Sequence, residues 1–162
     1  MSASSNNCVL IHQDHYFTQR FKNYADRTDD SFEGPAHLDF KQLYSDVRWA
    51  QSQHPIVVVE GHLIGTYIPL YQSADLIITL SKSQAVCKRQ RLNRKERTTE
   101  EYQQLEDYFD MFVWPGYVKY GMDQMEILAT YCAQHQIGYI NINDEDKLSV
   151  SDIAEIAMKI LT

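Results

Sequence analysis

The chain has 162 residues, 44% of them hydrophobic and 23% charged, which is the profile of one globular domain with a real core and not of a disordered chain. A formal net charge of −7 argues against general binding to nucleic acid or an anionic membrane. No run approaches the roughly 18 apolar residues of a membrane span, and the start lacks the basic and apolar regions of a leader. Three separated cysteines (Cys8, Cys87, Cys132) form neither a disulfide framework nor a zinc motif, so free thiols in a cytoplasmic or nuclear protein are expected.

Met1 to Asn7 is polar and reads as loose. Cys8-Val9-Leu10-Ile11 is a short apolar strand, and His12-Gln13-Asp14-His15-Tyr16-Phe17 follows it, placing Asp14 just past the strand's end. Two nearby histidines, His12 and His15, hint at a metal, but without a third ligand they read better as loop polar groups. Thr18 to Pro35 has no helical period and ends in the breaker pair Gly34-Pro35, so it is expected as a long loop, functional or mobile. Leu38 to Gln51 is close to helical spacing, with Asp39 near the first turn, where its charge favours the helix N-terminus. His54-Pro55 ends that helix.

Ile56-Val57-Val58-Val59-Glu60-Gly61 is the chain's central stretch. Its four consecutive β-branched residues predict a parallel strand buried on both faces. Open α/β sheets build sites outside the carboxyl ends of their strands, so Glu60 is delivered to that edge beside Asp14. Two carboxylates there could hold a Mg²⁺ or accept a proton from a hydroxyl. Asp75-Leu76-Ile77-Ile78-Thr79-Leu80 predicts another buried strand. The alternation of strand and helix then implies a doubly wound α/β sheet with right-handed crossovers.

Lys88, Arg89, Arg91, Arg94, Lys95 and Arg97 gather six of the chain's 15 basic residues into ten positions. Such a run is usually a solvated helix face. In an acidic protein, just after a strand's carboxyl end, it favours an anionic ligand such as a nucleotide phosphate. The polar segment Thr98 to Asp107 could be a mobile lid. Tyr108 to Tyr120 is dense in aromatics, consistent with core packing around a kinked helix in which Pro115 opens a segment. Met122 to Gln134 continues as helix, Gly138 to Ile142 is a last strand with Asn143 to Lys147 as its loop, and Val150 to Leu161 is a closing amphipathic helix. There is no internal repeat or domain boundary: 1–162 reads as a single domain.

Four motifs carry a resemblance. They are Ile11-His12-Gln13-Asp14-His15-Tyr16-Phe17; Val58-Val59-Glu60-Gly61-His62-Leu63; Cys87-Lys88-Arg89-Gln90-Arg91-Leu92-Asn93-Arg94; and Tyr108-Phe109-Asp110 with Val113-Trp114-Pro115 and Tyr117-Val118-Lys119-Tyr120. In this order and spacing the chain resembles the nicotinamide riboside kinases, a branch of the P-loop nucleoside kinases that includes uridine kinase. The fourth motif is the most specific to that branch. The resemblance implies a P-loop kinase-type three-layer α/β/α fold with a lid at about 88–107. It implies transfer of the ATP γ-phosphate, with Mg²⁺, to the 5′-hydroxyl of nicotinamide riboside, giving nicotinamide mononucleotide. By the same resemblance Asp14 is the base and a metal-sphere ligand, and Glu60 lies beside the metal and the reacting hydroxyl. Asp39 and Arg91 grip the ribose hydroxyls, and Arg94, with Lys88 and Arg89 as weaker candidates, belongs to the phosphate-neutralising lid. The implied partners are a ribonucleoside and a nucleotide, with oligomerisation left open.

The chain departs from the family in one large respect. Members begin with a strand, G-x-x-x-x-G-K-[ST] and a helix, upstream of the strand seen here at Cys8. No such motif is present; Gly116 and Gly121 have the spacing, but Met122-Asp123 follows them. In the family that first strand lies between those matching Ile56 and Asp75, so its absence predicts two unpaired apolar edges and no stable monomer of normal topology. Leu38 and Lys95-Glu96 stand where the family presents base-sandwiching tyrosines, and Gln90 replaces a lid arginine. Two alternatives therefore stand beside the kinase: a non-catalytic nucleoside-binding or interaction protein, and a uridine- or cytidine-kinase-like enzyme.

Overall fold

The computed structural model describes residues 8–20, 22–143 and 148–161. The expected loose start, 1–7, and most of the expected Asn143 to Lys147 loop lie outside the described residues. The architecture is mixed α/β, with small parallel sheets. Strand β1 (Cys8–His12) pairs in parallel with β2 (Ile56–Glu60), in the register Cys8↔Ile56 through His12↔Glu60. Strand β3 (Leu76–Leu80) pairs in parallel with β4 (Gly138–Ile142), from Leu76↔Gly138 to Leu80↔Ile142. The described strands form two two-stranded sheets, and no ladder joins β2 to β3. The split falls where the resemblance puts the family's first strand.

Helix α1 (Phe40–Gln53) follows β1 and covers one face of the first sheet. Leu43, Val47 and Ala50 recur at helical spacing and are buried. Leu43, Val47 and Leu70 of the short helix α2 (Ile68–Gln72) form a cluster with Ile11, Val57 and Val59 packed against it. The helix begins two residues later than its periodicity suggests. Asp39 has left the helical path to become the N-cap, its Oδ1 accepting from Gln42 N at 2.9 Å, so Leu38 sits outside the helix and is buried instead.

The expectation of strands buried on both faces is not met. Val57 and Val59 face the core, while Leu10 and Val58, register partners of one another, form a column on the other face, 49% and 44% exposed. In β3, Ile78 and Leu80 are 39% and 62% exposed. A β-branched run reports strand propensity, but burial needs a covering layer, and among the described residues no element covers that column.

After β3, α3 (Gln84–Leu92) leads through a short turn to α4 (Thr99–Tyr108). From Thr99 the helical path runs unbroken to His135. A π-helical segment (Phe109–Val113), α5 (Trp114–Gly116), a second π segment (Tyr117–Met122) and α6 (Asp123–His135) follow one another with helical dihedrals at every junction. Pro115 thus lies inside a continuous helix instead of opening one. A proline normally clashes with the carbonyl four residues back, and the widened π turns on either side relieve that clash. Gln136, at φ 58°, ends the helix in the left-handed conformation. The final helix, α7 (Val150–Leu161), opens where Ser149 and Asp152 exchange hydrogen bonds, and it packs on β3. No helix among the described residues is long and apolar enough to cross a membrane.

Candidate functional site

The carboxyl ends of β1 and β2 bring the first group together. The register sets His12 opposite Glu60, and His12 Nδ1 lies 2.6 Å from Glu60 Oε1. Both side chains are about half exposed (44% and 55%), so this contact is solvated and weak. Beyond β1 the chain makes a 3₁₀ turn, Gln13–Tyr16, which carries Asp14 into solvent. Gln13 turns the other way and is fully buried: its Oε1 accepts from Leu63 N at 2.8 Å, and its Nε2 lies 3.3 Å from His62 Nδ1. Gly61 makes this approach feasible, because a Cβ there would collide with the Gln13 side chain. One buried amide thus ties the loop after β1 to the loop after β2, fixing the two strand ends that carry Asp14 and Glu60.

Asp39 joins the same edge. Its backbone N–H donates to Tyr16 O at 2.9 Å, and a bridge pairs Phe17 with Leu38. One carboxylate oxygen caps α1, leaving the other as an acceptor. Tyr16 donates to Asp46 Oδ2 at 2.9 Å, and burial, reinforced by that carboxylate, pushes its hydroxyl up to about 12.

A second group forms where the 18–39 segment meets the helices. The segment is not a free loop. Two 3₁₀ turns (Tyr24–Asp26 and Pro35–His37) shape it, and Arg27 sits over the rings of Phe32, Tyr24 and Tyr108 at 4.5, 4.7 and 5.1 Å. Glu33 is buried at 5% exposure; its Oε1 accepts from Tyr108 Oη at 2.9 Å and lies 3.8 Å from Arg91 Nη2. Burial, followed by the Glu33 charge, raises the Tyr108 hydroxyl well above its ordinary value, so it remains a donor across the physiological range. Gly116 admits this contact, since a Cβ there would lie 2.7 Å from Glu33 Cβ.

The basic run divides by role. Lys88 is ion-paired with Asp110 at 2.7 Å and Glu106 at 2.9 Å, which raises its pKa; a phosphate would have to displace both carboxylates. Arg97 Nη1 donates to Leu92 O (2.7 Å) and Lys95 O (3.1 Å), holding the α3–α4 turn. Arg91 meets Glu33, while Arg89 and Arg94 are exposed. The later half of the expected lid is anchored: Thr98 and Glu101 form a capping box, and Leu105 and Tyr108 are buried at 0% and 1% exposure. Gly116 and Gly121 both lie within the long helical path, so they form no phosphate loop. Leu38, at the expected base-stacking position, is buried in the core.

A cavity of about 570 Å³ opens between the Tyr24–Asp26 turn and α4, lined by Lys22, Arg27, Lys95 and Arg97 together with Asp26, Glu100 and Glu101. Its mixed charges largely offset one another, and none of Asp14, Asp39, Glu60 or Arg91 lines it. Among the described residues no three His, Cys, Asp or Glu side chains converge on a metal-sized site. Asp14 and Glu60 still suit Mg²⁺, which takes one or two carboxylates and completes its shell with water and substrate phosphates.

Of the residues singled out from the sequence, Asp14, Glu60 and Asp39 fall at the β1–β2 carboxyl edge and Arg91 lies beside Glu33. Sequence reasoning passed over Gln13, Glu33, Tyr108 and Gly116 as site-building residues. Gln13 and Tyr108 stood in quoted motifs and could have been singled out there; Glu33 had only its place before Gly34-Pro35. Comparison with protein-family models and with curated proteins returns no match to this chain. What the fold and site define is a class: an α/β protein with carboxylates at the ends of parallel strands and a basic helix whose Arg91 reaches the buried Glu33.

Proposed function

We propose that this chain is a nucleoside-kinase-like domain of the nicotinamide riboside kinase kind, binding a ribonucleoside at the β1–β2 carboxyl edge. The observation that carries the reading is the grouping of Asp14, Glu60 and Asp39 at that edge, through the His12↔Glu60 register and the Asp39–Tyr16 hydrogen bond. A vicinal diol both donates and accepts, so a carboxylate (Asp39) and a guanidinium (Arg91) are complementary holders for it. Asp14 would take the proton from the 5′-hydroxyl, which makes that oxygen the better nucleophile toward a γ-phosphate. Asp14 and Glu60 would hold Mg²⁺, whose contribution is to neutralise charge on the phosphates. Arg94 and Arg89, exposed at and beyond the end of α3, are free to meet those phosphates.

The residues present supply the nucleoside and metal half of such a site; no G-x-x-x-x-G-K-[ST] motif supplies the phosphate cradle. Nucleoside binding is therefore the activity expected of the chain itself, and phosphoryl transfer the activity expected once a strand–phosphate loop–helix is grafted upstream of β1. Titration calorimetry with nicotinamide riboside and uridine tests the first part; saturable binding of neither refutes the reading. The grafted protein tests the second: magnesium-dependent phosphorylation that Asp14→Ala abolishes is the expected result. Binding without transfer in the graft favours the non-catalytic alternative.

A further inference from the structure

Glu33 is a buried carboxylate that the chemistry above does not use. Within its pocket a glutamine could still accept the Tyr108 hydrogen bond, more weakly, without the desolvation of a charge. What the charge adds is attraction for guanidinium groups; Arg27 lies against Tyr108 in the same cluster, and Arg91, 25% exposed, brings its Nη2 to 3.8 Å from Oε1. A guanidinium carries five N–H donors in a rigid fork, so this contact leaves donors for a second acceptor. Glu33 is itself held firmly: Tyr108 Oη fixes its Oε1, and Gly116 lets its Cβ approach the helix.

Downstream, Gly34 and the Pro35–His37 turn carry the chain to Asp39. His37 O accepts from Thr18 N at 2.8 Å and Leu38 N donates to Pro35 O at 3.2 Å, so the path from Glu33 to Asp39 is stiff. One short segment thus holds Asp39 at one end and, through Glu33, orients Arg91 of α3 at the other.

Resting on the nucleoside-binding reading, we infer that Glu33 is a positioning residue that sets the Arg91 guanidinium for the ribose 2′,3′-diol, in register with Asp39. Glu33 need not touch the substrate; it acts through Arg91.

The test is calorimetric titration of the full chain and its Glu33→Gln variant with nicotinamide riboside and with its 2′,3′-dideoxy counterpart. Wild type should prefer the ribonucleoside. Glu33→Gln should weaken ribonucleoside binding by about tenfold, the scale of one misaligned charged hydrogen bond, and leave the dideoxy compound unchanged. In an Arg91→Ala background, Glu33→Gln should change neither. Equal weakening of both compounds, or no weakening, overturns the positioning role while leaving nucleoside binding intact. Wild-type binding of neither compound overturns the underlying reading instead, and the inference with it. Should Glu33→Gln fail to fold, Tyr108→Phe decides: it frees the carboxylate to swing, and undiminished preference for the ribonucleoside in that variant overturns the proposal.

Discussion

The Tyr108–Glu33 hydrogen bond joins the aperiodic 18–39 segment to the long helical path, and removing it should lower stability measurably. Tyr108→Phe deletes one oxygen and preserves the ring, so packing against Tyr24 and Phe112 survives. What it removes is a 2.9 Å donor to a carboxylate that is only 5% exposed. Water does not replace that donor readily at such burial, and leaving a buried acceptor short of its partner costs about 1–3 kcal/mol. For a chain of this size, each kcal/mol moves the melting midpoint by about 2–4 °C, so a fall of roughly 2–12 °C is expected. Urea unfolding followed by circular dichroism gives the free energy directly, provided the transition is two-state. Pairing the variant with Glu33→Gln closes a double-mutant cycle. The charge makes the bond stronger than a neutral one, so a coupling of about 1–2 kcal/mol should appear. A loss below about 0.5 kcal/mol for Tyr108→Phe, the range of an ordinary surface change, would refute the claim that Glu33 depends on this hydroxyl.

Gly116→Ala should destabilise by up to about 2 kcal/mol in the same assay. The new Cβ would meet Glu33 Cβ at 2.7 Å and Glu33 O at 3.1 Å, an overpacking cost of about 1–3 kcal/mol that exceeds the roughly 1 kcal/mol gained in helix propensity. Gly121→Ala should also destabilise, because its Cβ would lie 2.6 Å from Tyr117 Cδ2 and that ring packs on Trp114. Gln13→Ala should cost about 2–4 kcal/mol through a cavity and an orphaned Leu63 N–H, and faster exchange of the Leu63 amide by NMR would localise the damage. Stability should fall as pH rises from about 10. Tyr16 and Tyr108 hold their protons to higher pH folded than unfolded, so the unfolded state releases them first. Each contributes a slope of up to about 1.4 kcal/mol per pH unit between its two pKa values, and Tyr108→Phe should flatten the alkaline limb of the curve.

The sequence made some of this legible because its rules are local. Ile56 to Glu60 reads as a strand from its own β-branched side chains, and the edge that carries Asp14 and Glu60 follows from where such strands end. Helix α1 is visible through Leu43, Val47 and Ala50. The cap at Asp39 shifts its start because a side chain that competes for backbone N–H groups carries no periodic signal. Pro115 misleads for a similar reason: the rule against interior proline assumes α geometry, and two π segments change it. Glu33 was beyond reach. It is a single acid in an aperiodic segment, and its partner Tyr108 lies 75 positions away, so only tertiary packing distinguishes it from Asp29 or Asp30. The exposed column of Leu10 and Val58 was equally hidden, because composition fixes what a strand face prefers and not what lies on top of it.

The two halves of the candidate site differ physically, and the split between the sheets explains the difference. On the proposed reading the ribose half is held by directed contacts: Asp39, though exposed, is locked by a cap and a backbone hydrogen bond, and Arg91 is addressed by a buried carboxylate with its own hydroxyl anchor. The phosphate half is solvated. Glu60 is more than half exposed, Asp14, Arg89 and Arg94 face water, and the Glu60 contact with His12 is solvated and weak. Glu60 ends β2, whose second edge is unpaired among the described residues. A strand laid against that edge would satisfy its backbone groups, and the same chain could shield Val58 and Leu10. It would also take water from around Glu60, strengthening each electrostatic contact there. On the proposed reading, the rigid half would recognise a ribonucleoside with the elements in place, and the reactive half would become a phosphoryl-transfer site only with the edge of β2 occupied. That asymmetry makes binding, and not turnover, the activity to seek first.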